Sequence, residues 1–445
     1  MTIRTAWMAL PLALALTPAC APTCEEVDTP LGPHADAGDA TTVTAGSLSF
    51  TRTVIDPGAC GAAFVTVSDL DADGDSELLV SRYGKRGTVP FGEVTRYDMD
   101  ADLNSWSRTP VATRDDGLRF PAETGVGDLD GDGDLDVAVP VGFFVCSVVP
   151  GIPDCGGLVW FESTPDGYVP HDIVVPEQTD FWHSAQLADI DADGDLDILS
   201  VAEQHEHTAG DGGRAELQLF RNDGAGNFSA AEPLADGLGT LPRLVDVDDD
   251  GDLDVLSAEF FRTGSSFAWV EQVAAPTDEH SGTWERHVID DTVGGAIDVR
   301  LVPDLFGDGR VFAIGSNHTN PEKVDGDPES NVFLYERPAD PTQPWARTSI
   351  ASNIVSETRT GQFAPGIFGT GDADGDGDID LLVSGDGDPR VFLFEQVDGA
   401  FTQHTLEDEL GQAGGMKIAD LDGDGANELV VTGYEDDVLY VYTRE

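Results

Sequence analysis

Positive charge is what this chain has least of. Its 445 residues hold 84 acids against 23 lysines and arginines, for a net charge of −61, and only three of those cations are lysines (Lys85, Lys323, Lys417). Phosphate backbones are held by clustered cations, so nucleic acid is excluded as a partner. Docking on anionic lipid by charge is excluded for the same reason. Long apolar runs are also missing after the first twenty residues, so no later segment reads as a membrane-spanning helix. No stretch sustains the period of a long helix. There is no Ser-His-Asp signature, no phosphate-cradling glycine loop and no zinc-type spacing. Cysteine is sparse and odd in number, with five in all.

The start of the chain explains the odd cysteine. Residues 1–19 read as an export signal: Arg4 supplies the positive start, and AWMALPLALAL is too short to span a bilayer. Cys20 follows LTPA, which resembles a bacterial lipoprotein cleavage box, although Pro18 is atypical for it. Lipidation of Cys20 and ordinary cleavage after Ala19 both stay open. Residues 20–46 are rich in Pro, Ala, Asp and Thr and read as a flexible linker. If Cys20 carries lipid, four cysteines remain. Cys146 and Cys155 flank SVVPGIPD and are placed to staple one loop, and Cys24 and Cys60 to tether the linker; the sequence does not fix the connectivity. The expected location is the cell envelope or the medium. Membrane contact is expected only through lipid, and the chain is expected to be a monomer.

What the chain has in abundance is one acidic nonapeptide. It reads DLDADGDSE from Asp69, DLDGDGDLD from Asp128, DIDADGDLD from Asp189, DVDDDGDLD from Asp246, DADGDGDID from Asp372 and DLDGDGANE from Asp420. A damaged copy, DLFGDGRVF, starts at Asp304, and successive copies begin 48 to 68 residues apart. Repeats at this spacing indicate a repeated architecture. Carboxylates at positions 1, 3, 5 and 9 crowd one tight turn, and the glycine at position 6 permits a backbone that a Cβ would hinder. Such crowding demands a cation. Calcium, which takes six to eight oxygens, suits side chains at those positions, a backbone carbonyl near position 7 and water; magnesium resists a mostly protein cage.

The expected calcium residues are therefore Asp69, Asp71, Asp73, Asp75 and Glu77; Asp128, Asp130, Asp132, Asp134 and Asp136; Asp189, Asp191, Asp193, Asp195 and Asp197; Asp246, Asp248, Asp250, Asp252 and Asp254; Asp372, Asp374, Asp376, Asp378 and Asp380; and Asp420, Asp422, Asp424, Ala426 and Glu428. An EF-hand loop also opens D-x-D-x-D-G, but it needs a Glu at position 12 and flanking helices. Here position 12 is Val80, Val139, Ser200, Ser257, Val383 or Val431, and the loops run into ELLVS, DVAVP, DILSV, DVLSA, DLLVS and ELVVT. Those short apolar runs read as buried strands.

Two more elements recur seven times. An aromatic strand follows each loop and its strand (VTRYDMD, LVWFEST, LQLFRND, FAWVEQV, VFLYERP, VFLFEQV, VLYVYTR), and a further strand type precedes each loop at a distance, from LSFTRTVID at Leu48 to FTQHTLE at Phe401. With the segment just before each loop, this makes four strands per unit. The expected fold is all-β: a seven-bladed β-propeller of four-stranded blades over residues 47–445. The chain opens on the outer-strand type and ends on the aromatic type, so Leu48 to Ile55 is expected to complete the last blade.

These loops and strands resemble the FG-GAP or VCBS-type repeats of bacterial surface and secreted proteins, related to the calcium-loop propeller of integrin α chains. The resemblance implies calcium ligands at positions 1, 3, 5 and 9. The copy at Asp304 departs from it, with Phe306 at position 3 and Phe312 at position 9, and is expected to be empty, leaving about six sites. By analogy of fold, ligands are expected on the face opposite the calcium loops. There the sequence places Arg119 and Phe120, Trp182 and His183, Arg243, Arg359, Glu203 to His207, Glu259 to Arg262 and Ser316 to His318. Trp182, Phe260 and Phe261 are candidates to stack on sugar rings. His183, His205, His207 and His318 are candidates for a second metal or for acid–base work. Arg119, Trp182, His183, His205, Arg243 and His318 form the candidate ligand site. The favoured reading is a non-catalytic calcium-binding propeller that recognises a carbohydrate or a protein. The alternatives are a polysaccharide lyase or sugar dehydratase on the same scaffold, and a scaffold with no small ligand.

Overall fold

Strand pairing in the computed structural model sorts the chain into seven antiparallel sheets. The structure describes residues 40–84, 91–100, 102–143, 146, 152–204, 213–261, 266–277, 279–322, 324–356 and 362–445. The export signal, Cys20, Cys24, His205, His207 and Arg359 lie outside the described residues.

Blades one to six occupy Ala62–Ala112, Gly125–Gln178, Gln186–Asp236, Arg243–Asp290, Ala296–Ser349 and Phe368–Glu407, each with its four strands in sequence order from the axis outward. Blade seven takes three strands from the C-terminus. Its fourth is Leu48–Asp56, which pairs antiparallel with Val438–Arg444. The expected closure is therefore present. Inner strands of blades seven and one meet so closely that a Cβ on Gly414 would lie 2.3 Å from the Ala63 carbonyl oxygen.

One element differs from the sequence reading. Thr41–Ala45, assigned to the linker, forms a fifth strand on blade seven against Leu48–Arg52. The run TTVTA is dominated by β-branched residues, and Gly46 at φ +62° makes the turn. Cys146 and Cys155 are disulfide-bonded, with Cα atoms 5.9 Å apart, and Cys60 is also in a disulfide.

The core lies between blades. Phe267, Trp269 and Val299 of blades four and five pack with Phe333 and Tyr335, while Phe312, Phe392 and Phe394 fill the next interface. At the closing seam Ile55, Leu439 and Val441 pack on Leu78, Tyr97 and Trp106. The aromatic strands thus supply inter-blade core. His287 in an outer strand lies against Trp269 and bonds Glu271 at 2.8 Å, and His404 bonds Glu395 at 2.7 Å.

The closing strand carries Phe50 and Ile55, both fully buried. Phe50→Ala is expected to lower stability by about 3–5 kcal/mol, as for other buried aromatic truncations. Removing Leu48–Asp56 should leave blade seven with an open edge and abolish the cooperative melt, as measured by calorimetry.

Candidate metal centres and the central channel

Each nonapeptide joins the innermost strand of a blade to the next one. The glycine at position 6 sits in the left-handed region in all six intact copies, with φ from +90° to +104°. That is the conformation for which the sequence reserves glycine. It turns the position 6 N–H onto the position 1 carboxylate, at 3.2 Å for Gly74 and Asp69 and 2.9 Å for Gly425 and Asp420. The position 7 N–H bonds the position 5 carboxylate, at 3.0 Å from Asp75 to Asp73 and 2.7 Å from Ala426 to Asp424.

Position 9 is buried and does most to fix the loop. One carboxylate oxygen accepts the position 2 N–H, at 2.6 Å for Leu70 and Glu77 and 2.8 Å for Val247 and Asp254. In four loops the other oxygen accepts an N–H at the end of the third strand: Ser163 to Asp136, Asn222 to Asp197, Gln272 to Asp254 and Gln396 to Asp380, at 2.8–2.9 Å. Burial first, and the neighbouring loop acids second, push these carboxyls up: Asp136 and Asp197 to about 6, and Glu77, Asp254, Asp380 and Glu428 to about 7.

The residues present fit a divalent cation. Carboxylate atoms of positions 1, 3 and 9 converge within 4.8 Å of one another at Asp69/Asp71/Glu77, Asp128/Asp130/Asp136, Asp189/Asp191/Asp197 and Asp372/Asp374/Asp380, and those of positions 1, 3 and 5 at Asp246/Asp248/Asp250. Among the described residues, buried Oδ1 atoms of Asp191, Asp246, Asp252 and Asp420 have no hydrogen-bond partner. A buried carboxylate oxygen with no donor is costly unless a cation completes it. The position 7 side chains are absent from these convergent sets, although Asp252, one of the acids with a donor-less oxygen, stands at position 7.

Two residues that the sequence reading missed reach the same loops. Arg96 Nη2 lies 2.6 Å from Asp71 Oδ2, and Arg221 bonds Asp191. Both follow from the third strand ending beside the loop, a placement that needs the folded blade to become visible.

The copy at Asp304 is built differently. In the six intact loops the residue before position 1 pairs with position 9, as in Val245 with Asp254. In blade five Pro303 pairs with Val311, at position 8, so the register slips by one and the hairpin tightens. Phe306 and Phe312 stack edge to face at 5.1 Å, and the Arg310 guanidinium lies 5.0 Å from the Phe312 ring centre while pairing with Asp308 and Glu336. A cation belonging to the chain stands where the other loops gather acids.

The candidate ligand residues do not form one open site. Trp182 and Phe261 are each only 3% exposed and so are not free to stack on a sugar. His183 is buried, with Nδ1 2.7 Å from Glu203 and its ring stacked on Phe261. His318 Nδ1 lies 2.7 Å from the Pro365 carbonyl oxygen. Arg119 lies over Phe91, its guanidinium 4.1 Å from the ring centre. A chain of ring contacts at 5.0–6.3 Å runs from Tyr434 through Tyr83, Phe120, Phe143, Phe181, Phe261 and Phe260 to Phe363, at the channel end away from the calcium-type loops. The expected opposite-face site is therefore largely an aromatic closure.

Arg243 lies in the channel instead. It bonds Glu123 through Nη1 and Asp298 through Nη2, the latter at 3.1 Å. Lys417 lies 3.5 Å from Glu123, and Arg300 3.3 Å from Asp298. Burial works against ionising Glu123, but Arg243 and Lys417 together hold its carboxyl well below the usual range. Burial, with Arg300 and Arg243 alongside, lowers Lys417 to about 8.

The chain is thus a seven-bladed β-propeller. Residues 372–442, the last three strands of blade six and most of the C-terminal part of blade seven, match the FG-GAP-like repeat, including the loops at Asp372 and Asp420. No curated protein matches the chain. Among solved structures it is similar to an exotype rhamnogalacturonan lyase, YesX, with 14% identity over 91% of this chain and 74% of that one and a TM-score of 0.48. A mutant of the NanB sialidase from Streptococcus pneumoniae gives 11%, 91%, 70% and 0.39, and a glucose dehydrogenase 10%, 74%, 97% and 0.39. Likeness at this level carries no argument about what this chain binds or does.

Two measurements test the loops. Because folding raises the position 9 pKa values, the metal-free fold binds protons more tightly than the unfolded chain, and its stability should fall as pH rises from about 4 through about 7. Calcium displaces those protons, so the loaded protein should lose this fall and weaken instead toward pH 5, as read by melting curves with calcium or a chelator. In blade five, Arg310→Ala should lower the melting temperature equally with and without calcium. Asp246→Asn should lower it only in calcium.

Proposed function

We propose that this protein is an exported, monomeric, calcium-loaded recognition propeller that binds a carbohydrate or protein ligand without transforming it. The observation that supports it best is the convergence of carboxylates in the intact loops, with buried oxygens that lack a donor among the described residues. Calcium is the cation this all-oxygen donor set suits, supplied by residues at positions 1, 3, 5 and 9. Bound there, it neutralises the repelling acids and joins each inner strand to its neighbour, and its binding free energy becomes folding free energy. The disulfides at Cys60 and at Cys146–Cys155 agree with an oxidising compartment outside the cytosol.

Recognition is favoured over catalysis because the described histidines on the candidate face are already engaged. His183 is locked by Glu203 and Phe261, and His318 by the Pro365 carbonyl. One observation favours the second reading, a lyase or dehydratase on the same scaffold. The His183–Glu203 pair has the geometry of an oriented base, and Glu203 is itself held by the Thr240 N–H at 2.9 Å.

Calcium-saturated protein on a broad glycan array is expected to bind a restricted set of glycans, with chelator abolishing the signal. Binding that survives chelation in a protein shown to have lost its fold would contradict the proposal. Turnover of a polysaccharide that disappears in a folded His183→Ala variant would replace it with the catalytic reading.

A further inference from the structure

In a chain with 84 acids and 23 lysines and arginines, the channel collects cations. Arg243, Arg300 and Lys417 come from the inner strands of blades four, five and seven. They occupy one level of the channel, because each pairs with the residue at position 11 counted from its loop's first acid: Leu256, Ile314 and Val430. For Arg300 that equivalence exists only because blade five has slipped by one residue. Two acids, Glu123 and Asp298, lie toward the aromatic closure. The five charges alternate in a chain, Lys417–Glu123–Arg243–Asp298–Arg300, that ties non-neighbouring blades across the axis.

The acids in this chain are saturated and the cations are not. Glu123 accepts from Arg243, from Lys417 and from the Ser184 hydroxyl at 3.0 Å. Asp298 accepts from both arginines and from the Phe368 N–H at 3.4 Å. Among the described residues, Lys417 has one long contact for its three donors, and the buried Nε groups of Arg243 and Arg300 have no hydrogen-bond partner. Three cations against two acids leave one positive charge and several N–H groups unanswered. The side chains of Arg300 and Lys417 remain 22% and 21% exposed, so a small group can reach them. At the calcium-loop end the inner strands finish in small residues such as Ser68, Ala188, Gly371 and Ala419.

We propose that the channel is a binding site for a monoanionic carboxylate, entering from the calcium-loop face and held by Arg300 and Lys417 with Arg243 behind them. Planar guanidinium groups match a carboxylate, and a single negative charge balances the unanswered positive one where a phosphate dianion would overshoot it. Entry past the acidic loops is favoured once calcium has neutralised them. The inference deepens the recognition reading above and rests on it, because it names the ligand's charged group and where that group sits.

Calcium-saturated full chain should be titrated with sodium acetate, glucuronate, N-acetylglycine, glucose and inorganic phosphate, using calorimetry and the side-chain NMR signal of Lys417. Acetate is expected to shift the Lys417 signal and glucose to leave it unchanged. Whichever of glucuronate and N-acetylglycine binds more tightly identifies the source of the carboxylate as a sugar or a peptide end. Arg300→Gln and Lys417→Gln, each verified as folded by circular dichroism, should weaken carboxylate binding by about tenfold or more, the worth of one charge-assisted hydrogen bond. Three results would overturn the inference: no response to any carboxylate at tens of millimolar, equal binding of glucose, or unchanged carboxylate affinity in both folded variants. The network would then be a brace between blades only. A positive glycan array beside such a failure would sink this inference and spare the recognition reading.

Discussion

Mutual repulsion of carboxylates is the constraint on which this structure turns. The loops at Asp69, Asp128, Asp189, Asp246 and Asp372 each bring three acids within a few ångströms, where like charges in a poorly solvated turn oppose one another strongly. The fold does not relieve this by spreading them. It tightens them: the position 9 acid is drawn inward to hold the start of its own loop and, in four blades, the end of the third strand. In four blades the position 9 acid thus fixes three segments through backbone N–H groups, while among the described residues the buried carboxylate oxygens of the loops that lack a donor belong to Asp191, Asp246, Asp252 and Asp420. A cation held among these acids would therefore be linked to blade geometry.

Blade five shows the same constraint solved without an ion. Losing two acids to Phe306 and Phe312 removes the repulsion, and with it the reason for a wide loop. The hairpin closes by one residue, and Arg310 covers the exposed ring faces. That slip also brings Arg300 level with Arg243 and Lys417. A change at the rim of one blade thus sets the charge pattern at the axis.

Architecture was legible in the sequence because every blade carries its own label. The nonapeptide marks the first turn, the aromatic run marks the third strand, and the order in which these types begin and end specifies the closure by Leu48–Asp56. Thr41–Ala45 was missed because its linker-like surroundings hid a short alternating run. The convergence of positions 1, 3 and 9 was legible, but Arg96 and Arg221 were not, since they approach from a strand distant in sequence. The register slip was invisible, although the two phenylalanines behind it were plain. The burial of residues on the expected ligand face was not legible, for a physical reason. Aromatic and histidine residues in loops suggest accessibility, yet the connections at that end bury Trp182 and pack His183 and Phe261 against each other and against Phe181.

Charge is arranged inside out relative to composition. The acids that give the chain its −61 lie largely in turns and rims, where water and cations can answer them, whereas Arg243, Arg300 and Lys417 sit at the axis. Seven blades built to one plan would present the same residue type at one channel level, as they present the same acids in their loops. They do not: this level also holds Thr66, Gly125, Gln186 and Gly369. The repeat is therefore broken at the channel, while six of the seven blades keep it in their loops.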